Sequence, residues 1–181
     1  MSDTLITIVA ILLAAVLMFI FPLLSVSERS DDISQLSVAS ATAEFVDNSR
    51  SIGKITMDNY TKLITTINAT GNSYDVEMEV KVLDENIGKK SAWTQGTVIG
   101  ENVYYSVYTS QIVEVLEDKN DKYKSNGVYT MKEGDIFSVS VKNTNKTLSQ
   151  TIRGVFYSMS GSDVYSIMAQ HSGVVTANGS Y

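Results

Sequence analysis

The stretch LITIVAILLAAVLMFIFPLLSV, Leu5 to Val26, decides how the rest of the chain is read. Of its 22 residues, only Thr7, Pro22 and Ser25 fall outside Ala, Val, Ile, Leu, Met and Phe. As a helix rising roughly 1.5 Å per residue it reaches about 33 Å, enough to cross a hydrocarbon core of about 30 Å. A cleaved secretory leader is the competing reading, with Ser25-Val26-Ser27 as its cleavage site. Such leaders want a positive start and an apolar core of roughly 7–15 residues. Here Met1-Ser2-Asp3-Thr4 carries no Lys or Arg and the block is longer, so the expectation is one uncleaved membrane span. The positive-inside rule has little to count, because Arg29 stands among Glu28, Asp31 and Asp32. The short leading tail and the 155 residues that follow favour a cytoplasmic amino terminus and an extracytoplasmic carboxyl-terminal domain in the cell membrane.

Two features inside the span bear on association. Ala10 and Ala14 stand four apart, a small-xxx-small spacing that lets another helix approach closely, although alanine is also simply common in spans. Pro22 removes one backbone hydrogen bond, which kinks or loosens the helix there or marks the end of the span.

Working outward, the chain divides into a tail over 1–4, a span over 5–26, a helical stalk over 27–52 and an α+β head over 53–181. Ile33, Leu36, Ala39 or Ser40, Ala43 and Val46 recur at helical steps along the stalk, a narrow stripe suited to packing on a neighbouring surface. Gly53 is a natural stop. Thr56 then reads as the N-cap of a second helix with Met57, Tyr60, Ile64 and Ile67 on one face, closed by Gly71. Tyr74, Val76, Met78, Val80 and Val82 alternate with Asp75, Glu77, Glu79 and Lys81, the pattern of a half-buried strand. Residues 86–100 read as a loop or short strand and 103–109 as a tyrosine-rich strand. Residues 112–117 read as a short helix capped by Thr109 or Ser110, with a strand as the alternative. A second clear strand covers 136–143 after the Gly134-Asp135 turn, and Leu148, Ile152, Val155 and Phe156 mark an amphipathic helix starting near Thr147. The last stretch suggests a hairpin, 164–169 and 174–177, turning at Ser172-Gly173. Strands and helices without regular βαβ alternation imply α+β with an antiparallel sheet.

The reactive inventory is thin. The 181 residues include no cysteine and one histidine, and the net charge is −6. That excludes thiol catalysis, Cys-ligated metal sites and disulfides, and it leaves no basic patch for a nucleic-acid partner. His171 has no second histidine for a metal site and reads as a surface or structural residue. Asp118-Lys119-Asn120-Asp121-Lys122 begins like a calcium loop, then places Lys122 where an oxygen ligand belongs. Glu77 and Glu79 have the spacing of an acid/base pair, but a solvated strand face accounts for them. No nucleophile elbow, Walker sequence or dinucleotide fingerprint is present. No cofactor, metal or small-molecule substrate is expected. Trp93, Tyr104, Tyr105 and Tyr108 stand out as an aromatic contact surface, with core packing as the alternative.

Several residues carry a resemblance: Arg50-Ser51-Ile52-Gly53-Lys54-Ile55-Thr56, Tyr60, Ala69-Thr70-Gly71-Asn72 and Tyr74-Asp75-Val76-Glu77. Tyr129-Thr130-Met131 and Glu133-Gly134-Asp135 extend it. With the long amino-terminal helix, the chain resembles the type IV pilin-like superfamily, in detail the minor-pilin or pseudopilin subunits of bacterial Tad-type systems. The resemblance implies a non-catalytic structural protein of the cell surface or a secretion machine, whose partners are membrane lipid and other pilin-like assembly subunits. The chain departs from the prepilin pattern, having no Gly before Leu5 and no acidic residue between Leu5 and Val26. That departure fits a retained membrane subunit better than a processed one. The alternative function is a membrane-tethered binding module whose aromatic head recognises a cell-wall or protein ligand.

Overall fold

The computed structural model describes residues 2–84, 104–117, 126–157 and 166–179. It is an α+β structure: one long amino-terminal apolar helix followed by short helices and antiparallel sheets. Helix α1 runs from Ser2 to Ile52 without interruption, and Pro22 lies inside it. It stops where Gly53 turns to a φ of +69°, a left-handed conformation that glycine adopts at little cost. Strand β1 (Lys54–Thr56) pairs antiparallel with β4 (Val128–Thr130). Between them in sequence come α2 (Met57–Asn68), β2 (Tyr74–Leu83), β3 (Tyr104–Tyr108) and α3 (Thr109–Glu117). Strand β5 (Ile136–Asn143), α4 (Leu148–Tyr157) and β6 (Met168–Val174) complete the order. The main sheet is antiparallel throughout, in the order β3-β2-β5-β6.

Local chemistry explains most of these elements. Thr56 caps α2 by accepting from the Asn59 amide at 3.2 Å. Thr147 and Gln150 form a reciprocal capping box ahead of α4: the Gln150 amide donates to Thr147 Oγ1 and the Thr147 amide to Gln150 Oε1. Alternation puts Val76, Met78 and Val80 of β2 on one face of the sheet with Phe137, Val139 and Val141 of β5. That face packs on α1 and α2 through Val38, Phe45, Val46, Leu63 and Ile67, and the Phe45 ring meets Phe137 edge-on at 5.8 Å.

Two expectations are corrected. The terminal hairpin is absent: β6 runs straight through Ser172-Gly173 and pairs with β5 from Met168 to Val174. A Cβ on Gly173 would lie 2.6 Å from Arg50 Cδ, so the flexible end of that side chain would have to shift. Residues 164 and 165, which began the expected hairpin, lie outside the described residues. Thr109 is also no cap for α3, because its hydroxyl reaches across to β2, accepting from the Met78 amide at 2.6 Å. The Gln111 side chain instead accepts from the Tyr108 amide at 3.0 Å.

Candidate functional site

The feature that sets this molecule apart is how α1 uses its two faces beyond Val26. The face against the head is made largely of small or polar residues: Ser27, Ser34, Val38, Thr42, Phe45, Val46 and Ser49 are buried. Three of the four buried hydroxyls offset their burial by bonding back to the helix, whereas Ser49 Oγ is buried without a hydrogen-bond partner among the described residues. Ser27 Oγ donates to the Leu23 carbonyl, Ser34 Oγ to Ser30 and Thr42 Oγ1 to Val38, at 2.7–2.9 Å. Small side chains let the sheet edge come close. Gln35 exploits that approach by treating β6 as a strand partner: its Nε2 donates to the Met168 carbonyl at 2.6 Å and its Oε1 accepts from the Met168 amide at 2.9 Å.

Acidic side chains pin the lower stalk to α4. Asp31 Oδ2 accepts from the hydroxyls of Thr147 and Ser149 at the start of that helix. Glu28 Oε1 accepts both Nε and Nη2 of Arg153, at 2.9 and 2.6 Å. Higher up, Asp47 accepts from Arg50 Nε at 2.7 Å and lies 3.3 Å from His171 Nε2. The hydrogen bond from Arg50, then that with His171, holds the Asp47 carboxyl below the usual carboxylate range.

The opposite face of α1 carries the large apolar residues. Val26 is 68% exposed, Ile33 62% and Leu36 72%. Of the stripe expected to pack, only Val46 is fully buried, with Ala39 and Ala43 partly so. Toward the amino terminus the exposed stripe merges with the apolar half of the helix, where Leu5, Ile8, Leu12, Phe19 and Leu23 are all exposed. Among the described residues this is the one helix long and apolar enough to cross a membrane, and it is compatible with a membrane anchor. Ala10 and Ala14 lie one turn apart on this half, both exposed, and Pro22 sits between them and the stalk.

The three tyrosines of β3 divide between the two faces of the sheet. Tyr104 and Tyr108 lie on the outer face of the edge strand β3, beside Leu83 and Glu79, while Tyr105 alternates to the inner face opposite Val82. Trp93 lies outside the described residues, as does the 118–122 segment. On the outer sheet face Asp75, Glu77 and Glu79 stand opposite Lys142, Ser140 and Ser138, and Glu79 accepts from Ser106 Oγ at 2.7 Å. Asp75, Glu77, Glu79, Ser138 and Ser140, with Tyr108 and Gln170, line an open groove.

Sequence reasoning missed Glu28, Asp31, Gln35 and Arg153. Their partners lie more than 100 positions away, so no local pattern announces them. Comparison with protein-family models, curated proteins and solved structures finds no match to this chain.

Proposed function

We propose that this chain is a membrane-anchored, non-catalytic, pilin-like subunit that associates through α1 in a surface appendage or secretion machine of the Tad type. In this reading Leu5–Val26 spans the cell membrane once, with the amino terminus cytoplasmic and the head extracytoplasmic. One observation carries it. The stalk turns its small, polar side toward its own head and leaves Val26, Ile33 and Leu36 exposed in line with the apolar half. Exposed large apolar side chains in a row are costly in water and mark a surface for another molecule. Ala10 and Ala14 would extend close helix contact into the span.

The chain has no native cysteine, so single cysteines report cleanly. Cysteine at Ile33 or Leu36, oxidised in native membranes, is expected to give disulfide-linked species containing this chain, whereas cysteine at Asn48 is not. Monomer alone from both stripe sites, and from Ala10 and Ala14, would sink the proposal. Labelling cysteines at Ser2 and Ser180 from outside intact cells tests the orientation.

A second function, a tethered module that binds a cell-wall or protein ligand, is favoured by exposed Tyr104 and Tyr108 at the rim of the acidic outer sheet face. Loss of function in Tyr104→Ala/Tyr108→Ala, with stripe cross-linking intact, would select it.

A further inference from the structure

The pins between stalk and head fix the height of the head above the apolar segment. Glu28 and Asp31 lie two and five residues beyond Val26, which at helical rise is about 3 and 7.5 Å. Asp31 holds the start of α4 through Thr147 and Ser149, and Glu28 holds Arg153 more than a turn further along it. Moving back along α1 toward the apolar half therefore means moving forward along α4, so the two helices run antiparallel. Gly154–Tyr157 add about 6 Å more in that direction, which carries the carboxyl end of α4 to the level of Val26.

A second element arrives at the same height. Lys62 of α2 pairs with Glu44 of α1, whereas Thr66, Ala69 and Thr70 share a groove with Val26, Arg29 and Ile33. Helix α2 thus also descends toward the apolar half. Its closing turn is tied to the segment before α4 by the Asn145 side chain, which accepts from the Ser73 amide and donates to Asn72. The end of the head nearest the apolar segment is a base built from two helix ends and this turn. Arg29, Lys146 and Leu148 are exposed around it, as is Asp32. In sequence, α4 closes on Val155-Phe156-Tyr157, an apolar and aromatic ending of the kind enriched at membrane–water interfaces.

We propose that the head rests on the bilayer that holds α1, with the carboxyl end of α4 entering the headgroup layer as a second membrane contact. The proposal rests on Leu5–Val26 being a membrane span. The bilayer is the occupant because the base lies level with the end of that same apolar segment. Arg29 and Lys146, both exposed, suit the phosphates there.

The test uses the full chain in phosphatidylcholine vesicles, with single cysteines at Leu12, Glu133, Leu148, Thr151 and Tyr157 carrying an environment-sensitive fluorophore. Doxyl-labelled phosphatidylcholine supplies the quencher. Loss of fluorescence is expected to be strong at Leu12, to rise along α4 from Leu148 through Thr151 to Tyr157, and to be absent at Glu133. Leu148 and Thr151 are exposed, so the gradient between them is readable even where the Tyr157 variant folds poorly. Quenching at Leu12 with α4 labels no different from Glu133, or with the gradient reversed, overturns the seated head and leaves the span intact. An unquenched Leu12 label overturns the span and the seating together.

Discussion

Arg153 Nη2 lies 2.6 Å from Glu28 Oε1, joining helix α4 of the head to the stalk just beyond the apolar segment. The two residues are 125 positions apart and each is more than a third exposed. Water therefore screens the pair, and its value is geometric more than energetic. A double-mutant cycle with Glu28→Gln and Arg153→Gln is expected to give a coupling of about 0.2–1 kcal/mol, read from denaturant melts in detergent micelles.

Gly53 and Gly71 both have positive φ but differ in what surrounds them. A Cβ on Gly53 would lie 2.2 Å from the Ala177 carbonyl oxygen, whereas one on Gly71 meets nothing within 4 Å. Gly71→Ala should cost only the left-handed penalty of about 1–2 kcal/mol. Gly53→Ala should cost distinctly more, because the carboxyl-terminal segment must also move. Comparative thermal melts of the two variants check the order.

Gln35 stands in for a missing strand at the β6 edge. Gln35→Ala removes both bonds to Met168 and is expected to cost on the order of 1–3 kcal/mol. Gln35→Glu keeps an acceptor for the amide but turns a second acceptor toward the Met168 carbonyl, so it should not rescue. Hydrogen exchange at the Met168 amide should accelerate in Gln35→Ala.

The two faces of the stalk predict opposite outcomes for similar truncations. Val38 is fully buried, and Val38→Ala should destabilise the fold by about 2 kcal/mol. Leu36→Ala, on the exposed stripe, should leave intrinsic stability within about 0.5 kcal/mol. It should nevertheless weaken cross-linking between chains. Denaturant melts and oxidative cross-linking of the same two variants separate these effects.

Asp47 titrates below the usual carboxylate range because Arg50, then His171, hydrogen-bonds its charged form. A depressed folded pKa means the unfolded state binds more protons across that window, so stability rises with pH there. The contribution is fully present above the unfolded value of about 4 and is lost as pH falls through the folded one. The Tm difference between the native chain and Asp47→Asn should be small at pH 5 and shrink below about pH 4.

Much of the fold is legible in local pattern. Strict alternation from Tyr74 to Val82 and from Phe137 to Val141 identifies the two central strands, since a half-buried strand must turn every second side chain inward. The Thr56 and Thr147 caps and the Gly53 stop are likewise local chemistry, settled within a few residues. The stalk shows where local pattern fails. Periodicity identifies a helix but not which face packs, because close approach to a sheet edge rewards small residues over apolar ones. Ser34 and Thr42 are therefore buried while Ile33 and Leu36 are exposed. Ser172-Gly173 reads as a turn for a similar reason: its place inside β6 is set by pairing with Ser138 and Phe137 of β5, not by its own local chemistry.

The candidate surfaces follow the same division. By itself the sequence determined a long apolar helix, an antiparallel α+β head and the absence of cysteine, because composition and periodicity depend on neighbours along the chain. Only the tertiary structure decided that Tyr105 parts from Tyr104 and Tyr108, that Gln35 seals a strand edge, and that the stripe at Val26, Ile33 and Leu36 is left uncovered. It also decided that Glu28 and Asp31 hold α4 level with the end of the apolar segment. Those outcomes depend on which residues meet across more than 100 positions, and that is fixed by how the whole chain closes around its core.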